Sequence, residues 1–173
     1  GAADIAVTNI LITAGASAQK IVMVDSKGPL HLDRTDLNPY KKAIAQKTNE
    51  RHITTSLADA LVDADIFIGV SAANILKPEW VEKMADKPIV IAMANPDPEI
   101  APALAAKTKI AVFGTGRSDF PNQINNALAF PGIFRGALDC RATKITEAMK
   151  LAAAKTIAGL VSKSELNKNY ILP

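Results

Sequence analysis

The chain has 173 residues, with 20 Lys and Arg against 17 Asp and Glu, and its 49% apolar and 5% aromatic content allows one core made mainly of aliphatic and alanine side chains. The formal net charge of +3 is mild and dispersed, without the basic stripe and interleaved aromatics of a nucleic-acid binder. No apolar run is long enough to span a bilayer, and the first residues lack the basic start and apolar block of a secretory signal. Cys140 is the lone cysteine, so an internal disulfide is excluded and a reducing, cytoplasmic setting is expected. Its apolar neighbourhood predicts a buried thiol.

In chain order, Ala2 to Ala14 reads as a helix that Gly15 ends in a left-handed conformation. Ile21 to Val24 reads as a buried strand ending at Asp25, and Ser26, Lys27, Gly28 and Pro29 break it. Asp36 or Asn38 caps a helix with Pro39 in its first turn, running to about Gln46. Ser56 starts a short helix, Leu57 to Leu61. Ile66 to Val70 is a second strand closed by Ser71, and Pro78 opens a helix through Met84. Ile89 to Met93 is a third strand leading into Asn95 and Pro96, and Pro102 to Ala106 is helical. Ile110 to Phe113 is a fourth strand leading into Gly114, Thr115 and Gly116. Asn122 to Leu128 reads as a helix that Pro131 and Gly132 interrupt before Ile133 to Leu138 resumes it. The alanine-rich Thr146 to Leu160 is the clearest helix. Beyond it the tail is polar and ends Tyr170-Ile171-Leu172-Pro173, a segment expected to dock rather than to form a core. Residues 1–160 thus read as one domain and 161–173 as a tail.

Short apolar strands alternating with helices predict a doubly wound parallel sheet covered on both faces. Gly1-Ala2-Ala3-Asp4-Ile5-Ala6 reads as the back half of a dinucleotide-binding turn, in which small residues and a helix N-terminus receive pyrophosphate. Asp25, at the next strand end, can accept hydrogen bonds from ribose hydroxyls, or it can cap a turn. In the common strand order the first strand is central, between those ending at Asp25 and Ser71. No such strand precedes Gly1, so the first central strand is expected to lie on a cleaved or undescribed segment or on a companion chain; the alternative is a different topology in which no central strand is absent.

The polar residues gather after the strands, where open parallel sheets bind their ligands. Ser71 follows the second strand. The Asn95 amide can donate and accept, holding a ribose hydroxyl or a carboxylate, or it can stabilise a turn before proline. Gly114 and Gly116, around Thr115, allow close approach of a ligand or form an ordinary turn. Arg117 can attract phosphate or pair with Asp119. Asn125 and Asn126, adjacent on a predicted helix, cannot share one face. Lys27 can meet a 2′-phosphate or face solvent. His31 and His52 have no metal-ligand spacing.

These same stretches are similar to the cofactor-binding domain of the malic enzyme family. The similarity is carried by Val24-Asp25-Ser26-Lys27-Gly28, by Ile68-Gly69-Val70-Ser71, by Ala92-Met93-Ala94-Asn95-Pro96-Asp97-Pro98-Glu99-Ile100, and by the long run from Gly114 to Ala137 that contains Phe120-Pro121-Asn122-Gln123-Ile124-Asn125-Asn126. The resemblance implies a Rossmann-like fold. It implies NAD or NADP held by Gly1, Ala2, Ala3, Asp25, Ser71, Asn95, Gly114, Thr115, Gly116 and Asn125, with the acidic Asp25 leaning toward NAD. It implies malate contacts from Asn95 and Asn126, oxidation of L-malate, and decarboxylation to pyruvate and carbon dioxide. Malolactic chemistry, which releases lactate, and a non-catalytic cofactor-sensing domain are the alternatives. The family's tyrosine acid, lysine base and acidic ligands of Mg2+ or Mn2+ fall upstream of Gly1, so no catalytic or metal-ligating residue is expected in this chain, and Tyr40 and Tyr170 do not match that tyrosine. A homo-oligomer without nucleic-acid or membrane partners is expected. Asp4 departs from the pattern, standing where a third small residue belongs, and its carboxylate is expected to repel pyrophosphate or to disturb close helix packing.

Overall fold

The structure is a computed structural model that describes residues 1–173. Its frame is a parallel sheet of three strands, β3 (Ile66–Gly69), β4 (Ile89–Ala92) and β5 (Val112–Thr115), with β4 in the middle. The strands end in register, with Gly69, Ala92 and Thr115 in one row. A separate antiparallel pair joins β1 (Val24–Asp25) to β2 (Gly28–Pro29). Helices α1 (Ala2–Thr13), α2 (Pro39–Ala45), α3 (Leu57–Ala60), α4 (Pro78–Val81), α5 (Pro102–Ala105), α6 (Phe130–Asp139) and α7 (Glu147–Gly159) complete the chain. None is long and apolar enough to cross a membrane.

Local chemistry sets several boundaries. Gly15 takes φ +105°, and its amide and that of Ala16 donate to Ile12 and Leu11 carbonyls past the end of α1. The Asn38 side chain accepts from the Lys41 amide at 2.9 Å, and Ser56 Oγ accepts from the Asp59 amide at 3.2 Å, so both residues cap orphan amides. The main core lies on one face of the sheet, where Phe67, Val90 and Ala92 meet Leu61, Leu76, Val81, Met84, Ile100 and Ala105. Val90 and Ala92 are fully buried there, and burying a branched aliphatic side chain stabilises by about 1.5–3 kcal/mol. A smaller cluster of Met23, Leu30, Ile44 and Ala45, flanked by Ile5, Ile21 and Leu37, ties α1 and α2 to the β1–β2 hairpin.

Several predicted elements require correction. Ile21 to Met23 is not strand, because no strand of this chain lies beside it and only Val24 and Asp25 find ladder partners. The fourth strand starts at Val112 rather than Ile110, in register with β4, which begins at Ile89; just before both strands the Ala111 amide donates to the Pro88 carbonyl at 2.9 Å. Gly114 and Thr115 therefore lie inside β5 instead of following it. Asn122 to Asn125 is not helical. Gln123 bridges to Thr115, and Asn125 caps a short 3-10 turn, Asn126–Leu128. Pro131 does not interrupt a helix but sits in the first turn of α6, where its missing N–H costs nothing, and Gly132 continues that helix. Coverage of the sheet is also uneven. Ile89 and Ile91, on the second face, are only half-buried, because α7 packs against α1 and α6. Cys140 is exposed, since it caps the end of α6, a helix with no buried residue.

Candidate functional site

The register of the sheet creates the site. Ser71, Asn95 and Gly116 each emerge within three residues of the Gly69–Ala92–Thr115 row, at the carboxyl ends of adjacent strands. All three are exposed, as are Asn125 and Asn126 on the segment that follows β5. The Asn95–Pro96 peptide is cis. The amides of Asn95 and Asn126 are free of the internal hydrogen bonds that occupy Asn122 and Asn125. Asn125 accepts from the Ala127 amide at 2.9 Å, so its side-chain oxygen already holds the turn that presents Asn126.

Gly114 and Thr115 are buried, and Thr115 has no exposed surface. A Cβ on Gly114 would lie 2.9 Å from Ile124 and 3.0 Å from Ile91, so this glycine is required by packing of the segment across β5. Arg117 forks onto Asp119 through two hydrogen bonds of 2.9 and 2.7 Å, and the two groups hold each other charged.

Two residues that local pattern did not single out organise this edge. Glu99 is fully buried, and its carboxyl oxygens accept from the Ser71 amide at 2.9 Å and the Ala94 amide at 3.0 Å. Asn122, at φ +56°, donates to the carbonyls of Phe113 at 2.9 Å and Lys168 at 2.8 Å and accepts from the Ile171 amide at 3.0 Å. It thereby fastens the chain's last residues to the end of β5. Asn122, Gln123, Asn125, Leu128, Tyr170 and Leu172 line a cleft of about 310 Å³ beside Asn126.

Asp25 lies on the β1–β2 hairpin, outside the three-stranded sheet. Its carboxylate accepts a forked pair from Arg34 at 2.9 and 3.2 Å, one hydrogen bond from the Lys41 ammonium and one from the Lys27 amide at 2.9 Å. Burial pushes its pKa up, but the hydrogen bonds from Arg34, Lys41 and the Lys27 amide outweigh that and hold it well below the usual carboxylate range. Arg34 also forks onto Asp36, which the Lys27 ammonium approaches at 3.0 Å. Three cations thus surround two carboxylates. Both oxygens of Asp25 are engaged, so a ribose hydroxyl would share or displace one of these donors.

Gly1, Ala2 and Ala3 are exposed at the start of α1, and the Asp4 carboxylate turns back onto the Gly1 nitrogen. Negative charge is favourable at a helix N-terminus, whether from this carboxylate or from a bound phosphate. His31 is half-buried with Nδ1 3.5 Å from Asp33. No three His, Cys, Asp or Glu side chains come together in a way that could hold a metal ion.

Register, exposed asparagines and the glycine-flanked strand end make an edge suited to an extended polar ligand. The model of the malic enzyme NAD-binding domain matches residues 4–173. The chain belongs to this family. It is 58% identical to the NAD-dependent malic enzyme of Geobacillus stearothermophilus over 100% of its own length and 36% of that protein's. It is 53% identical to the bifunctional malic/malolactic enzyme of Bacillus subtilis, again over its whole length and 42% of that protein's. The crystal structure of the Entamoeba histolytica malic enzyme superposes with a TM-score of 0.90 at 42% identity, covering 95% of this chain and 35% of that one. The fold is accordingly the Rossmann-like α/β fold of the malic enzyme NAD-binding domain, and the chain spans well under half the length of these relatives.

Proposed function

We propose that this chain supplies the nicotinamide-cofactor site of an enzyme that oxidises L-malate with NAD or NADP and decarboxylates it to pyruvate and carbon dioxide. One observation carries the reading: Ser71, Asn95 and Gly116 stand exposed along the carboxyl edge of three parallel strands in a chain of this family. That edge fits an extended dinucleotide, which needs polar side chains and uncovered backbone in a row. When bound, the nicotinamide accepts hydride from the alcohol carbon of malate.

The residues of this chain bind and orient. Gly1, Ala2 and Ala3 offer a helix N-terminus without bulk to the pyrophosphate, opposed by the Asp4 carboxylate. Asp25 would accept from the adenosine ribose hydroxyls, sharing or displacing one of its present donors. Ser71 and Asn95 would hold the nicotinamide end of the cofactor, and Asn95 would also bind malate. Gly116 allows close backbone approach, while Thr115, Gly114 and Asn125 act from behind by fixing the β5 end. Asn126 donates to a malate carboxylate, a neutral contact that leaves the substrate's charge for the rest of the protein to balance. The Mg2+ or Mn2+ ion, the proton donor and the base are assigned in this proposal to other parts of the protein. A cytoplasmic location and a homo-oligomeric state belong to the same proposal.

Cofactor choice rests on one cluster. Asp25 favours NAD by repelling a 2′-phosphate, whereas Lys27, Arg34 and Lys41 around it lessen that repulsion. The Bacillus subtilis relative's name supports a second product, lactate. The test is malate-dependent reduction of NAD and NADP by the full-length protein with Mg2+ or Mn2+, with pyruvate and lactate quantified. Reduced cofactor with pyruvate supports oxidative decarboxylation. Lactate without net reduced cofactor supports the malolactic reaction. Neither product from folded protein overturns both.

A further inference from the structure

We infer that Glu99 is a positioning residue whose carboxyl fork sets the separation of the loops after β3 and β4, and with it the placement of Ser71 and Asn95 against the cofactor; the functional part of this inference rests on the reading above. Three observations lead there. Glu99 has no exposed surface, and neither of its oxygens meets a cation: one accepts from Ser71 N at 2.9 Å, the other from Ala94 N at 3.0 Å. These amides lie on loops leaving two different strands, and each sits at or next to a candidate ligand-binding side chain. The backbone repeats the brace, since Leu76 N donates to Glu99 O at 2.8 Å and Asn74 N to Pro98 O at 3.1 Å.

Packing explains the neighbouring glycine. A Cβ on Gly69 would fall 2.3 Å from Glu99 Cδ and 2.5 Å from Oε1, so the strand end is left bare for this side chain to cross it. A polar group buried in such a place costs free energy that an apolar side chain of equal size avoids. What the carboxyl group alone provides is two acceptors on one rigid fork, matched to two amides that would otherwise be buried or misdirected. Glutamine keeps the shape but turns one acceptor into an NH2 group that faces an N–H. Methionine keeps the volume with no strong acceptor.

A shift of about 1 Å in groups that hold reactants can lower rates about 100-fold. In the full-length protein, Glu99→Gln and Glu99→Met should therefore lower kcat/KM for malate roughly 10- to 100-fold, with kcat falling more than malate KM rises. The Kd for NAD should rise, and the Ser71 and Ala94 amides should exchange hydrogen faster. Gly69→Ala retains the carboxyl group but displaces it, so it should reproduce the kinetic fault, and combining it with Glu99→Gln should add little. Variants that melt lower yet keep wild-type kcat, KM and NAD Kd when folded would overturn the inference, as would unchanged exchange at both amides or fully additive losses. If the wild-type protein fails to oxidise malate, the functional reading fails separately, and amide exchange with NAD affinity still decides the role of Glu99.

Discussion

Asn122 offers a sharp test because its contribution separates into side-chain and backbone parts. Replacing it with alanine removes donors from the Phe113 and Lys168 carbonyls, at 2.9 and 2.8 Å, and an acceptor from the Ile171 amide at 3.0 Å. Each such bond is worth about 1 kcal/mol net. The residue also sits at φ +56°, where alanine costs a further ~1 kcal/mol or more and asparagine is tolerated. The Lys168 and Ile171 ends lie on an exposed tail and can turn to water, which leaves an expected loss of roughly 2–3 kcal/mol. At about 2–4 °C per kcal/mol for a domain of this size, Asn122→Ala should lower Tm by roughly 5–10 °C. Asn122→Gly loses the same hydrogen bonds but not the backbone compatibility, so it should melt a few degrees above the alanine variant. Thermal unfolding by circular dichroism gives both values, and limited proteolysis reports release of the tail after Ser162. A Tm within about 1 °C of wild type, or a glycine variant no more stable than the alanine one, refutes this account of the hub.

Three further outcomes follow from the same geometry. Asp25 is held charged by Arg34 and Lys41, so its stabilising effect is complete above the ordinary value of 3.8 and is lost as pH falls through the lower folded value; the Tm gap between wild type and Asp25→Asn should be constant near neutrality and close in acid, and a gap that widens in acid contradicts the assignment. Asn126→Ala should raise malate KM or lower kcat/KM for malate while NAD Kd stays put, and unchanged kinetics remove its substrate role. Asp4→Gly frees the start of α1 from a carboxylate, so titration should show tighter NAD binding; equal or weaker binding shows that Asp4 does not oppose the pyrophosphate.

Much of the frame was legible because local rules govern it. β3 and β4 are short, continuous apolar runs, the form a buried parallel strand takes, and Asn38, Ser56 and Gly15 carry chemistry suited to helix ends. The strand-end positions of Ser71 and Asn95 followed from those runs. What escaped depends on partners far along the chain. The Ile21 run has the composition of a strand but no neighbour in this chain to make it one. The start of β5 is set by where its partner β4 begins, at Ile89, and the extended Asn122 to Asn125 segment by bonds to Thr115 and to the tail 46 and 49 residues away. Glu99 sits inside the stretch that carried the family resemblance, yet its task is visible only once Ser71, 28 residues earlier, is seen against it. Asp25 was recognisable as a strand-end carboxylate, whereas its ring of Arg34, Lys41 and Lys27 was not.

The central claim is that the carboxyl edge of β3, β4 and β5 receives the dinucleotide. Hydrogen exchange of the full-length protein with and without saturating NAD addresses it directly. The expected result is slowed exchange confined to the start of α1, to the hairpin around Asp25 and to the segments around Ser71, Asn95 and Gly116. Binding that leaves those segments unchanged, or that protects only the α5 and α7 surfaces, would contradict it.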